Sequence, residues 1–125
     1  MMMNVKDFQN VGKCLTFEST TGDPAIGVKQ DRSRAAHFDK VIVRMKTSVT
    51  ENDMMQFFWK TEGQSDFSEA SSVRLPVRPS SDFVEYVLPL KDVPGWKWRV
   101  TDLRLDPVAT AGVKVEIEHI RLEPR

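Results

Sequence analysis

The sequence predicts an all-β fold: one domain built as a β-sandwich of two antiparallel sheets. Three observations carry that expectation. Alternating apolar and polar residues recur at short intervals, as in Leu103-Arg104-Leu105-Asp106 and Val113-Lys114-Val115-Glu116-Ile117-Glu118, and a period of two marks a half-buried strand. Turn-forming clusters separate these stretches, among them Thr20-Thr21-Gly22-Asp23-Pro24, Glu62-Gly63-Gln64-Ser65-Asp66 and Ala109-Thr110-Ala111-Gly112. Finally, no window long enough for a helix holds a sustained helical stripe.

The elements follow in order. Cys14 to Ser19 forms a first strand, with Leu15-Thr16-Phe17-Glu18 at its centre. Gln30 to His37 has room for one helical turn. Ala36 to Ser48 forms a strand with Val41, Val43 and Met45 on one face and Ile42, Arg44 and Lys46 on the other. Met54 to Thr61 sets Met55, Phe57 and Trp59 against Gln56, Phe58 and Lys60. In both strands the apolar set is expected in the core. The mixed sets then face outward and line a groove of Arg44, Lys46, Gln56, Phe58 and Lys60. Ser72 to Val77 follows. Asp82 to Leu90 is apolar on both faces, so it reads as a buried central strand that stops at Pro89, where a ladder donor is missing. After the Pro94-Gly95 turn come Thr101 to Val108 and Val113 to Leu122.

A chain of 125 residues fits one domain, with a core over about residues 13–124, and can bury that core without disulfides. Eighteen basic and 18 acidic side chains cancel, which argues against nucleic acid or an anionic membrane as partner, since both need a sustained positive field. No apolar run reaches the ~20 residues of a membrane span. The start, Met1-Met2-Met3-Asn4-Val5-Lys6-Asp7, lacks the pattern of a signal peptide, so the protein is either cytoplasmic or a module of a longer exported chain. Cys14, the one cysteine, reads as a small buried hydrophobe.

Catalytic patterns are absent. There is no G-x-S-x-G elbow, no glycine-clustered phosphate loop and no paired Cys and His at zinc spacing. His37 and His119 read as structural or surface residues. Glu116 and Glu118 share a strand face, which a glycosidase pair could use, but the same spacing describes a solvated face. The chain is therefore expected not to be an enzyme.

The segment Trp96, Val100, Thr101, Leu103, Arg104, Leu105, Asp106 and Pro107, followed by Val115, Ile117, Ile120, Arg121 and Leu122, resembles the C-terminal pattern of galactose-binding-like jelly-roll carbohydrate-binding modules. Asp82-Phe83-Val84-Glu85-Tyr86 before Trp96 resembles the same family. Its usual glycine falls at position 98, where this chain has Trp98. The resemblance implies a jelly roll that binds plant or microbial polysaccharide or oligosaccharide without catalysis, as part of a carbohydrate-active enzyme exported from the cell.

Sugar rings have apolar C–H faces and polar edges, so a site needs flat aromatics and planar hydrogen-bonding groups. Candidates are Trp98, Trp59, Trp96, Arg44, Gln56, Phe58 and Tyr86. The scaffold does not require Trp98, so it reads either as an exposed platform or as a cap on the end of the sandwich. Trp96, Trp59 and Tyr86 are expected to pack inward unless one reaches the rim. Arg104 reads as a scaffold residue that pairs with Asp106 or Asp102. No cofactor is called for; a structural calcium, as in many such modules, would draw on Glu18, Asp23 and Glu118. The rival readings are a structural or protein-interaction sandwich that binds no sugar, and a small polysaccharide-cleaving enzyme.

Overall fold

The computed structural model describes every residue except Met1, Asn4, Gly12, Lys13, Asp23 and Arg125; residues 2–3, 5–11, 28–34 and Ala36 are described by their backbone alone. Among the described residues the strands are β1 (Met2–Met3), β2 (Val5–Val11), β3 (Cys14–Ser19), β4 (Ala25–Arg34), β5 (Phe38–Thr47), β6 (Asp53–Thr61), β7 (Ser72–Val77), β8 (Val84–Pro89), β9 (Arg99–Asp106) and β10 (Lys114–Pro124). They form two five-stranded antiparallel sheets. The front sheet runs β1-β4-β9-β6-β7 and the back sheet β2-β3-β10-β5-β8. The expected β-sandwich is the observed architecture.

The apolar faces read from the sequence meet in the core. Val41, Val43 and Met45 of β5 oppose Met55, Phe57 and Trp59 of β6, and none of the six is more than 1% exposed. Leu105 of β9 and Val115 and Ile117 of β10 fill the space between them. Each such side chain contributes about 1.5–3 kcal/mol on leaving water.

The tryptophans close one end of this core. Trp96 donates its indole N–H to the carbonyls of Ala35 (3.0 Å) and Phe38 (3.1 Å). Trp59 donates to the carbonyl of Gly95 at 2.9 Å. Gly95 has φ +91°, and a Cβ there would lie 3.1 Å from the Ala70 carbonyl oxygen, so both the backbone angle and the available space demand glycine.

The opposite end is tied by Ser19, which is 1% exposed. Its hydroxyl donates to the Thr110 carbonyl at 2.6 Å and accepts the Val113 N–H at 2.9 Å. Its own N–H donates to the Val113 carbonyl, and its carbonyl accepts the Gly112 N–H.

The structure differs from the sequence reading in several elements. β8 is the edge strand of the back sheet rather than a central strand: Val84, Tyr86 and Leu88 point inward while Glu85 and Val87 are exposed. Its two-sided apolar character reflects an outward Val87, and Pro89 is tolerated because an edge strand lacks a partner on one side. Residues 30–34 extend β4, and only Ala35–His37 form a helical turn, of the 3-10 type. Cys14 is free and partly exposed at the start of β3 rather than buried.

Candidate functional site

The outer face of the front sheet carries a compact field of polar side chains. Strand register creates it. On β6, Gln56 lies between Arg74 of β7 and Asp106 of β9, Phe58 lies between Ser72 and Arg104, and Lys60 lies beside Asp102. These residues alternate with the inward Phe57, Trp59, Leu103 and Leu105, so all of them are presented on one side.

Arg104 organises the centre. Its guanidinium makes a two-pronged ion pair with Asp106, Nε to Oδ1 at 2.8 Å and Nη2 to Oδ2 at 3.0 Å. The same plane lies 4.9 Å from the Phe58 ring centroid and 5.9 Å from that of Phe67, within the range of cation–π attraction. Phe58 is thereby buried on the outer side of the sheet, at 6% exposure.

Phe67 comes from the segment between β6 and β7 and reaches back over the sheet. The Lys60 ammonium is 5.0 Å from its ring and 3.8 Å from the Asp102 carboxylate. Glu69 from the same segment accepts from Gln56 Nε2 and from Arg74 Nη2. Gln56 also donates to Ser72 Oγ at 2.9 Å. Beside this network a depression of about 310 Å³ opens, lined by Gln56, Arg74, Asp106, Met54, Val108 and Ala109. It offers amide, guanidinium and carboxylate edges to a ligand rich in hydroxyls.

Trp98 stands apart from this field. It immediately precedes β9, is 66% exposed and has φ 60°. The Lys97 ammonium lies 4.2 Å from the centroid of its ring.

The expected groove mixed two surfaces. Gln56, Phe58 and Lys60 are on the front sheet, whereas Arg44 and Lys46 are on the back sheet. β5 and β6 are consecutive in sequence but belong to opposite layers, so their outward faces point away from each other. Arg44 instead pairs with Glu118 at 3.2 Å and lies over Phe83. Trp59, Trp96 and Tyr86 lie in the core, at 0%, 7% and 7% exposure, and offer no face on which a sugar could stack. The Tyr86 hydroxyl accepts the Arg78 N–H at 3.4 Å. Arg104 fills the scaffold role expected of it, with Asp106 as partner.

Of the three residues expected to hold a calcium ion, the two described ones lie apart on the back sheet. Glu18 lies opposite Lys114 on β10, four residues and roughly 13 Å along the strand from Glu118, and Glu118 is engaged by Arg44. Asp23 lies outside the described residues. Among the described residues no three His, Cys, Asp or Glu side chains gather as a metal site. His37 is exposed, and His119 contacts Arg121 at 3.1 Å.

The sequence reading missed Phe67, Arg74, Asp106 and Glu69 as site residues. For Phe67 the signal was an aromatic standing alone in the polar run Gln64-Ser65-Asp66-Phe67-Ser68-Glu69.

No family model and no curated protein matches this chain. Solved structures do. A mutant of a carbohydrate binding module of family 29 is 12% identical, with a TM-score of 0.65 over 95% of this chain and 75% of its own. A second mutant from that family, complexed with mannohexaose, is 12% identical, with a TM-score of 0.65 and the same coverage of both chains. A third, complexed with cellulohexaose, is 14% identical, with a TM-score of 0.62 over 95% of this chain and 75% of its own. The fold expected from the resemblance is the fold these modules have.

Proposed function

We propose that this chain is a non-catalytic carbohydrate-binding module that holds a polysaccharide or oligosaccharide against the outer face of its front sheet. The observation that carries this reading is the row Arg74–Gln56–Asp106 beside an open depression, in a fold shared with modules solved in complex with hexasaccharides. Gln56 and Arg74 present planar groups to sugar hydroxyls, and the Arg104–Asp106 pair holds the carboxylate edge rigid. Phe67 supplies apolar surface at the margin.

Among the described residues, three carboxylates of the face each sit with a cation: Asp102 with Lys60, Asp106 with Arg104, Glu69 with Arg74. Such an arrangement suits recognition of neutral hydroxyls and supports the non-catalytic reading. A shallow site of this kind binds weakly, because stacking and hydrogen bonds must offset lost translational freedom. Attachment to a carbohydrate-active enzyme in an exported chain would supply avidity.

The test is calorimetric titration with soluble β-glucans, xylans, mannans and pectins, with Gln56→Ala and Arg74→Ala beside the parent. Binding that weakens at least about tenfold in both variants, with circular dichroism unchanged, is the expected result. If none of the glycans binds, the reading fails in favour of a structural or protein-interaction sandwich, which the burial of Trp59, Trp96 and Tyr86 favours.

A further inference from the structure

We infer that Trp98 is a second glycan contact, outside the polar field, that stacks one face of its indole on the apolar face of a pyranose ring. This deepens the carbohydrate-binding reading and rests on it.

The argument begins with the backbone. Among the described residues Trp98 is the one non-glycine residue with positive φ, at 60°. That region is strained for a side chain with a Cβ and is ordinarily occupied by glycine. The fold does use this backbone conformation: the Trp98 carbonyl accepts the Ala35 N–H at 2.8 Å, next to the carbonyl that receives the Trp96 indole N–H. The bond belongs to the main chain alone, and a glycine would make it without strain. The indole lies mostly in solvent, at 66% exposure, more than any other large apolar side chain described. The chain therefore keeps its largest side-chain type where the backbone disfavours it and the core does not need it. Strain of this kind persists at binding sites.

The surroundings suggest how the ring is used. The Lys97 ammonium lies over the ring, 4.2 Å from its centroid, which covers one face and steadies the indole. The opposite face is left for a ligand. A ring held flat by a neighbour loses little entropy on stacking. Position adds to this: Trp98 leads directly into β9, the strand that carries Asp102, Arg104 and Asp106. Six residues of extended chain separate Trp98 from Arg104, roughly 20 Å, so a glycan touching both must be long, whereas a short oligosaccharide engages one at a time.

The test is Trp98→Gly, with Trp98→Ala as a variant that keeps the Cβ. Each is melted thermally and titrated with the soluble mannan or glucan that the parent binds. Trp98→Gly is expected to melt a few degrees above the parent as strain is released, and to bind the polymer at least about fivefold more weakly. Trp98→Ala is expected to lose binding equally without the gain in melting temperature. Parent-like binding by Trp98→Gly overturns the inference while leaving the carbohydrate-binding reading intact. A fall in its melting temperature overturns the strain argument, because the indole would then be a packing element. If the parent binds no glycan, the broader reading fails and this inference goes with it.

Discussion

Trp96 meets Trp59 edge-on, with ring centroids 5.1 Å apart and planes at 86°. The Trp59 indole N–H is spent on one backbone carbonyl and that of Trp96 on two. The pair joins the loop before β9 to the centre of the front sheet. Truncation of Trp96 to alanine is expected to cost about 3–5 kcal/mol, measured by urea unfolding. Trp59→Phe, which keeps most of the ring but strands the Gly95 carbonyl, is expected to cost less, roughly 1–3 kcal/mol.

Tryptophan emission should divide cleanly. Trp59 and Trp96 are buried and Trp98 is exposed, so a neutral quencher such as acrylamide should reach one component. Trp98→Phe should abolish that component and leave the remaining emission shielded. Substantial quenching in the variant would show that the core indoles open to solvent.

Gly95→Ala should destabilise by more than about 1 kcal/mol. The substitution combines a left-handed φ of 91° with a 3.1 Å approach to the Ala70 carbonyl. Gly63→Ala provides the comparison: its φ is also positive, at 89°, but no atom lies within 4 Å of the added Cβ. Chemical denaturation of both variants should find Gly95→Ala the more damaged.

Ser19→Ala should cost roughly 1–3 kcal/mol, because it leaves the buried Val113 N–H and the Thr110 carbonyl each short of the serine hydroxyl. Hydrogen exchange should locate the loss, with the Val113 amide gaining exchange rate more than amides of β6.

Arg104 and Asp106 are 16% and 11% exposed, so their pairing is shielded from water. Removing either partner leaves a poorly solvated charge. A double-mutant cycle of Arg104→Ala and Asp106→Ala should therefore give a coupling energy of about 1–3 kcal/mol. Coupling near zero would make the pair an incidental surface contact.

The fold was legible because period-two patterning is local. β3 and β7 match the sequence reading to the residue, and the inward faces of β5 and β6 follow from alternation. β4 escaped notice, since after Ala25-Ile26-Gly27-Val28 it turns polar and its ladder with β9 shifts between Lys29 and Ser33. The site was only half legible. Alternation places Gln56, Phe58 and Arg44 on outward faces, but which sheet a strand joins is decided by long-range pairing. Arg104 and Phe67, 37 positions apart in sequence, meet only because β9 lies next to β6 and the intervening loop folds back.

The strand order also bears on synthesis. β9 is an interior strand of the front sheet and β10 of the back sheet, yet both come from the last quarter of the chain. Until residues 99–124 leave the ribosome, β4 and β6 have no common neighbour, and neither do β3 and β5. Until then the nascent module carries unpaired ladder edges and an open apolar interior, the condition under which sheets pair wrongly with other chains. Closure of both sheets therefore waits for the last two strands of the module to be made.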